Sequence, residues 1–242
     1  MVLKDKVAIV TGASTGIGRA IALGLAGQGA HVVINYNRSA AAATEVFSQL
    51  KEMGRRSLLV QGDLALEEDV KKLVSATLDG FDRIDILVNN AGLRTFVVTG
   101  TDYCPVVKME IKDWDRMIAV NLRGPFMMTK AVLPQMIKQR QGSIMNISSN
   151  AGYKPVPGKS AYTASKHALE GFTKALAVEV KEFNIRVNTL APGGMVDVDG
   201  RGGMPVDVIV PASIYLASDD SREISGQTVI ATRWNEERGI KY

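Results

Sequence analysis

The sequence predicts an α/β fold with a single doubly wound parallel sheet of about seven strands and helices on both faces. Three observations predict it. The 242-residue chain has the length of one large domain, and no Pro/Gly/Ser-rich linker divides it, so residues 1–242 are expected to form a single domain. Short, nearly continuous apolar runs indicate strands that are covered on both faces. These runs alternate with amphipathic stretches, which favours right-handed β–α–β crossovers.

The strands and helices follow from the hydrophobic periodicity. Strands are predicted at Val7–Val10, Val32–Ile34, Leu58–Val60, Ile84–Val88, Ile144–Ile147, Ile185–Leu190 and Thr228–Ile230. Helical patterns lie near residues 17–28, 39–53, 67–79, 112–139, 161–183 and 207–217. Sheets of this kind bind ligands at the carboxyl ends of their strands, so the residues that follow each strand are candidates for chemistry.

Composition narrows the function classes. The net charge is +4, from 29 basic and 25 acidic residues, and no run of five basic residues occurs, which argues against a nucleic-acid partner. Cys104 is the single cysteine, so an intramolecular disulfide is excluded, and we expect it to be packed. His31 and His167 suggest no metal site. The apolar runs are too short for a signal peptide or a membrane span, so we expect a cytoplasmic protein that acts on a small molecule.

A glycine-rich turn follows the first predicted strand. The sequence from Thr11 to Gly18 reads Thr-Gly-Ala-Ser-Thr-Gly-Ile-Gly, and a helical pattern begins at its end. Gly12 permits a tight turn, Gly16 lets the backbone approach a phosphate, and Gly18 lets the helix pack closely on the strand. The helix start adds free N–H donors and a positive dipole end. The turn therefore predicts a site for the pyrophosphate of a dinucleotide.

The end of the second predicted strand bears on which dinucleotide is bound. NAD-binding sheets tend to place an acidic residue there, which hydrogen-bonds the ribose 2′-hydroxyl. This chain has Asn-Tyr-Asn-Arg at residues 35–38 instead. Arg38 could pair with a 2′-phosphate through charge-assisted hydrogen bonds, so NADP(H) is the preferred cofactor, with use of NAD(H) left open. The competing interpretation of Arg38 is an exposed arginine at a helix start.

A tyrosine and a lysine lie four residues apart in a helical pattern. Tyr162 and Lys166 therefore project from one helix face. An ordinary tyrosine has a pKa near 10 and exchanges protons poorly at neutral pH, and a neighbouring ammonium is expected to lower the pKa of Tyr162. Tyr162 could then exchange a proton with a substrate oxygen that a serine hydroxyl holds. Ser148 and Ser149, which follow the fifth predicted strand, compete for that role.

These motifs stand in an order that resembles the short-chain dehydrogenase/reductase family from Lys6 to about Ile230. Within the family, the chain is similar to bacterial 3-oxoacyl-carrier-protein reductases and to glucose dehydrogenases. The resemblance implies an NAD(P)-binding Rossmann-type domain. It also implies an oxidoreductase that moves a hydride between NADP(H) and a carbonyl or secondary alcohol, as in a 3-oxoacyl thioester, a ketone or a sugar.

The resemblance also implies the roles of individual residues. In the family the catalytic serine lies thirteen residues before the tyrosine, which selects Ser149. Asn121 is similar to a fourth catalytic residue, whose amide would hold a water that relays protons to Lys166, and Asp63 would cap the adenine amino group. The implied catalytic residues are Asn121, Ser149, Tyr162 and Lys166. The implied cofactor-binding residues are Gly12, Ser14, Thr15, Gly16, Ile17, Gly18, Tyr36, Arg38, Asp63, Leu64, Asn90, Ala91, Gly92, Tyr162, Lys166, Pro192 and Gly193.

Three stretches depart from the family pattern. The loop at residues 93–109 is longer than its counterpart, and the segment after Pro192 is short and glycine-rich, with Asp197 where relatives often have threonine. The last predicted strand is followed by Ala-Thr-Arg-Trp instead of Gly-Gly, so Trp234 is expected to fill space left by the short lid or to pack between subunits. We expect residues 93–109 and 194–234 to form the substrate pocket.

Two further expectations concern function and assembly. Many relatives are tetramers, so the resemblance implies a homo-oligomer, either a tetramer or a dimer. The alternative to an enzyme is a catalytically weak dinucleotide-binding sensor or scaffold. The short lid favours that alternative, whereas the complete set of Ser149, Tyr162 and Lys166 argues against it.

Overall fold

The computed structural model describes residues 1–198, 200 and 202–242. In this part of the chain seven parallel strands form one sheet in the order β3-β2-β1-β4-β5-β6-β7. The strands are β1 (Val7–Val10), β2 (His31–Tyr36), β3 (Ser57–Gln61), β4 (Ile86–Asn89), β5 (Gly142–Ile147), β6 (Ile185–Ala191) and β7 (Thr228–Ile230). The predicted fold class and all seven predicted strands are confirmed. The order reverses between β1 and β4, so a crevice for ligands opens at their carboxyl ends.

Helices cover both faces of the sheet. The helices are α1 (Gly16–Gly27), α2 (Ala40–Glu52), α3 (Glu67–Phe81), α4 (Thr95–Thr99), α5 (Ile111–Ile118), α6 (Gly124–Gln139), α7 (Ser160–Glu179), α8 (Val210–Ala217) and α9 (Ala231–Glu236). Ile21 of α1 and Leu216 of α8 belong to the apolar core on one face. Leu73 of α3, Val132 of α6 and Leu176 of α7 belong to the core on the other face. This two-sided burial explains why the strands are nearly continuous apolar runs.

The helical pattern predicted near residues 112–139 is confirmed, but it contains a π-turn that was not predicted. A π-helical turn at Ala119–Arg123 separates α5 from α6. The wider turn buries the side chain of Asn121, which donates to the Leu93 carbonyl at 2.9 Å and accepts from the Leu93 N–H at 2.7 Å. Hydrophobic periodicity does not reveal such a turn, because one extra residue in a helix barely alters the pattern. π-Turns of this kind occur frequently at functional sites.

Helices α4 and α9 are absent from the sequence prediction. Helix α4 lies inside the long loop at residues 93–109, and α9 occupies the stretch where Gly-Gly was expected. The Trp234 ring of α9 packs against the Tyr215 ring of α8, with 5.3 Å between ring centroids. Trp234 thus packs within the chain against the core beneath α8.

Hydrogen bonds join the described parts of the short segment after Pro192. The Met204 N–H donates to the Met195 carbonyl at 2.9 Å, and the Asp197 N–H donates to the Met204 carbonyl at 2.8 Å. The described part of 194–205 contains no helix, in line with the predicted loss of a helical lid. Residues 199 and 201 of the predicted pocket stretch 194–234 lie outside the described residues.

The described residues provide neither a membrane-spanning helix nor a metal-binding cluster. None of its helices combines the length and the apolar character that a bilayer span requires. Within the same residues, no group of three or more His, Cys, Asp or Glu side chains is arranged to hold a metal ion. Cys104 is buried and unpaired by any disulfide in this part of the chain.

The packing of Trp234 is testable. Trp234→Ala should lower the free energy of unfolding by about 2 kcal/mol, because it removes a large, partly buried side chain from the α8–α9 contact. Trp234→Phe is the matched control. It keeps an aromatic ring against Tyr215 and removes an indole Nε1 for which the described residues provide no hydrogen-bond partner, so a change below about 1 kcal/mol is expected. Urea unfolding followed by circular dichroism measures both. Equal losses in the two variants would contradict the packing role.

Candidate active site

Hydrogen bonds tie the glycine turn after β1 to the segment after β4. The Thr11 hydroxyl donates to the Val88 carbonyl and accepts from the N–H groups of Asn90 and Ala91, each at 3.0 Å. The Asn90 side chain donates to the carbonyls of Thr11 and Gly12 at 2.9 and 3.0 Å. Two motifs that are distant in sequence therefore form one rigid unit at the point where the strand order reverses.

The glycines of the turn are required by conformation and by space. Gly12 and Gly16 adopt φ angles of +60° and +55°, in the left-handed region that favours glycine. A Cβ atom on Gly18 would lie 2.4 Å from both the Asn90 side-chain nitrogen and the Gly12 carbonyl oxygen. The turn thus keeps its backbone bare at the start of α1, where first-turn N–H groups point outward. These features fit the pyrophosphate of a dinucleotide.

Asn35 holds the same turn from the opposite side. Its side chain is buried, accepts from the Gly12 N–H at 3.3 Å and donates to the Gly62 carbonyl at 3.1 Å. From the sequence, Asn35 was notable only as a position without an acidic residue, and this role was not predicted. The available signal was a polar residue at the end of an apolar run, which must find partners if it is buried.

The other predicted adenosine-site residues lie around this turn. Tyr36 ends β2 and is half-buried, and Arg38 is exposed just beyond it. The Asp63 carboxylate accepts from Arg116 at 2.7 Å and from the Ala65 N–H at 2.9 Å. Burial acts to raise the pKa of Asp63, but these hydrogen bonds and the Arg116 charge hold it below its usual value. Asp63 is therefore hydrogen-bonded to Arg116 of helix α5. Its contact with adenine stays a prediction.

Ser149, Tyr162 and Lys166 come together at the carboxyl end of β5. The Ser149 hydroxyl lies close enough to the Tyr162 phenol to lower its pKa, and it also accepts from the Ala151 N–H at 3.3 Å. The Lys166 ammonium donates to the Ile147 carbonyl at 2.7 Å and lies 5.7 Å from the centroid of the Tyr162 ring. Ser148 instead points into the protein and donates to Glu170 at 2.5 Å. The geometry thus places Ser149, and not Ser148, beside the phenol.

The electrostatics of this cluster differ from expectation. Burial raises the pKa of the Tyr162 phenol, and the hydrogen bond from Ser149 and the charge of Arg94 oppose this only in part. The expected net lowering by Lys166 is therefore wrong. Burial also lowers the pKa of Lys166 to about 8, against the opposing charge of Glu170. Sequence spacing indicated the pair, but desolvation decided the direction of both shifts.

Asn121 lies close to this cluster. A Cβ atom on Gly92 would stand 3.4 Å from the Asn121 side-chain oxygen and 3.9 Å from the Lys166 nitrogen, so the three groups converge. The Asn121 side chain is engaged by Leu93 and also donates to the Ser165 hydroxyl at 3.3 Å. Its predicted water-holding role is not tested by these contacts.

Two segments border the cleft. In the 93–109 loop, the Cys104 N–H donates to the Gly158 carbonyl at 2.8 Å, which ties the loop to the segment before α7. On the other side, the Thr232 N–H donates to the Pro192 carbonyl at 3.2 Å, and Val198 lies over Gly16 of the glycine turn. The cleft is therefore framed by the loop after β4 and by the segments that follow β6 and β7.

The packing of Gly18 gives a second testable outcome. Gly18→Ala should weaken dinucleotide binding at least tenfold, because its methyl group must displace Asn90 or the Gly12 carbonyl, which shape the turn. Gly171→Ala is the matched control: no heavy atom within the described residues lies within 4 Å of its ideal Cβ, so binding should be unchanged. Titration of NADPH fluorescence measures both. Equal affinity for Gly18→Ala and the unmodified protein would rule out the proposed geometry of the turn.

Comparison with known proteins identifies the family of the chain. The family model for short chain dehydrogenase matches residues 6–202. The chain is 43% identical over 215 residues to a 3-oxoacyl-(acyl-carrier-protein) reductase of Synechocystis sp., covering 88% of this chain and 84% of that protein. It is 35% identical over 243 residues to 3-oxoacyl-(acyl-carrier-protein) reductase FabG of Staphylococcus epidermidis, covering 93% of this chain and 96% of that protein.

A solved structure shows the same architecture. A protein assigned as a short-chain alcohol dehydrogenase from Sinorhizobium meliloti 1021 superimposes with a TM-score of 0.87 at 31% identity, over 95% of each chain. The family match at residues 6–202 includes the glycine turn and the Ser149–Tyr162–Lys166 cluster, and the two relatives and this structure each match most of the chain. The protein is therefore an oxidoreductase of the short-chain dehydrogenase family.

Proposed function

We propose that this protein is an NADP(H)-dependent reductase that transfers a hydride to a ketone carbonyl, with 3-oxoacyl thioesters as the preferred substrate class. The observation that carries the proposal is the meeting of Ser149, Tyr162 and the buried Lys166 at the carboxyl end of β5. The substrate class rests on the two relatives named as 3-oxoacyl-(acyl-carrier-protein) reductases. Other ketones and sugars belong to the same broad class of carbonyl substrates, in which we propose that 3-oxoacyl thioesters are preferred.

Each part of the cofactor has a proposed binding place on the chain. The glycine turn and the first turn of α1 would hold the pyrophosphate, and Asn90–Gly92 would border the adenosine ribose. Lys166 would hold the nicotinamide ribose hydroxyls, with Pro192 and Gly193 beside the nicotinamide. When bound, the nicotinamide supplies the hydride; the protein supplies position and electrostatics.

The cluster can supply the proton. The hydroxyls of Ser149 and Tyr162 lie near each other and could both donate to a substrate oxygen, polarising its carbonyl. The raised pKa of Tyr162 keeps the phenol protonated at neutral pH, which suits a proton donor in the reducing direction. Lys166 has a pKa of about 8, so it exchanges protons readily near neutrality and can reprotonate the phenol. Asn121, beside Lys166, would hold the relaying water.

Cofactor choice is proposed from the end of β2. Arg38 is exposed beyond Tyr36, and no carboxylate follows in the sequence before the start of α2. A 2′-phosphate would therefore meet a guanidinium and would not be repelled by an acidic side chain. This favours NADP(H) over NAD(H).

The pocket and the assembly are proposed from the borders of the cleft and the outer helices. The 93–109 loop and the described part of 194–234 would enclose the substrate. Phe126 of α6 and Val178 of α7 are 46% and 77% exposed, and the expected homo-oligomer, a tetramer or a dimer, would cover such apolar side chains.

The catalytic proposal is tested by Tyr162→Phe. This variant should lower kcat for NADPH-dependent reduction of a 3-oxoacyl thioester by at least about 100-fold, because it removes the proton donor. NADPH binding should change less than about threefold, since the ribose-binding Lys166 remains. Tyr215→Phe, in α8, is the matched control and should keep full turnover. A Tyr162→Phe enzyme with nearly undiminished kcat would refute the assignment, and dinucleotide binding without turnover on a panel of ketones and thioesters would favour the sensor.

The cofactor proposal is tested by Arg38→Ala. We expect kcat/KM with NADPH to fall about 10- to 100-fold, because a charge-assisted hydrogen bond to the 2′-phosphate is lost. The value with NADH, which lacks that phosphate, should change less than about threefold. Arg222→Ala, an exposed arginine beside the amino ends of the strands, is the control for net charge. Equal effects of Arg38→Ala on the two cofactors would contradict the 2′-phosphate contact.

A further inference from the structure

Glu170 is a buried carboxylate directly behind the catalytic cluster. It lies one turn after Lys166 on α7, and 7% of its surface is exposed. Three hydroxyl groups from three strand segments donate to it. Ser148, after β5, donates to Oε1 at 2.5 Å, and Thr189 of β6 and Thr228 of β7 donate to Oε2 at 2.7 and 2.6 Å.

The three hydroxyl donors around Glu170 suit an ionised carboxylate. An ionised carboxylate is an acceptor with two oxygens, and both oxygens of Glu170 accept hydroxyl donors. The packing around it is close, since a Cβ atom on Gly152 would lie 2.7 Å from the Ser148 hydroxyl and 3.2 Å from Glu170 Oε1. A buried charge needs both hydrogen bonds and an opposite charge nearby. The hydroxyls supply the first, and Lys166 supplies the second.

The position of Glu170 links it to both parts of the cluster. Through Ser148 it fixes the residue directly before Ser149, so the backbone that carries the Ser149 hydroxyl is braced from behind. Through its charge it acts on Lys166, whose other near groups are the Ile147 carbonyl from β5, the Asn121 oxygen from the π-turn and the Tyr162 ring from α7. Arg94, from the 93–109 loop, acts on Tyr162.

We propose that Glu170 is a positioning residue for the reductase cluster: its carboxylate holds the Ser148–Ser149 turn in place and keeps the buried Lys166 protonated. For catalysis this rests on the proposed function, but the effect on Lys166 belongs to the protein without cofactor. Glu170 does not touch the reacting atoms, because Ser148 and the strand ends lie between.

The charge effect is tested first without cofactor. Lysine-labelled protein is titrated, and the ¹³Cε chemical shift of Lys166, assigned with Lys166→Met, gives its pKa. The Glu170 charge raises the pKa of Lys166, so Glu170→Gln should lower the titration midpoint further, by about one pH unit or more. Glu170→Asp keeps the charge and should leave the midpoint within about half a unit of the unmodified protein. Equal midpoints in Glu170→Gln and the unmodified protein would overturn the proposal.

Kinetics test the same residue in the working enzyme. A pKa lowered by one unit leaves roughly tenfold less protonated Lys166 at pH 9, so the alkaline limb of kcat/KM for Glu170→Gln should move to lower pH by the same amount. A purely structural role would lower the melting temperature and leave that limb in place, which would count against the proposal. Ser148→Ala removes the hydrogen bond that braces the turn carrying Ser149, so it should lower kcat several-fold. Because this variant keeps the Glu170 charge, the alkaline limb should not move.

The variants separate the two proposals. If the unmodified protein reduces no carbonyl compound while Glu170→Gln still shifts the Lys166 midpoint, the reductase assignment fails and the Glu170–Lys166 coupling stands. If Glu170→Gln does not fold, Ser148→Ala decides the positioning half: an unchanged kcat in that variant would overturn it, and a several-fold loss would support it.

Discussion

The Lys166 ammonium is buried at the carboxyl edge of the sheet, where desolvation opposes its charge. The protein offsets this cost with the Ile147 carbonyl on one side and the Glu170 carboxylate one helical turn away. The same burial raises the pKa of the neighbouring Tyr162 phenol. Burial thus brings the pKa of Lys166 into the range where it exchanges protons, while the phenol keeps its own proton. The chemistry proposed for the protein depends on this buried pair.

That burial is a consequence of the sheet. Parallel strands place all their carboxyl ends at one edge, so the turns after β1, β4, β5 and β6 meet there although they are far apart in sequence. The Thr11–Asn90 contacts join two of these turns, and the Glu170 contacts join the ends of the other strands to α7. Each is a cross-link between hydroxyl, amide or carboxylate groups that are shielded from water. A fully satisfied polar network of this kind gives the site one defined arrangement.

The fold could be predicted from local features of the sequence. The strands were predictable because burial on both faces demands runs such as Val7–Val10, and the pairing of Tyr162 with Lys166 followed from helical spacing alone. The π-turn at Ala119–Arg123 was not predictable, because one extra residue leaves the apolar pattern almost intact. Helix α9 was not predicted for a related reason. Its six residues make fewer than two turns, which is too short a segment for hydrophobic periodicity to distinguish a helix from a loop. Asn35 and Glu170 were missed as site residues because their partners come from distant strands.

The sequence by itself determined where the strands lie along the chain, the position of the glycine turn, and the residue types that can carry proton transfer. These features depend on short-range spacing and backbone freedom. The tertiary structure decided which serine faces the phenol, which carboxylate lies behind the lysine, and in which direction each pKa shifts. The physical reason is that desolvation and charge–charge interaction depend on distances in space, and the groups concerned come from separate strands and helices. Ser148 and Ser149 are adjacent in sequence, yet one points to Glu170 and the other to Tyr162, because the turn after β5 directs them to opposite sides.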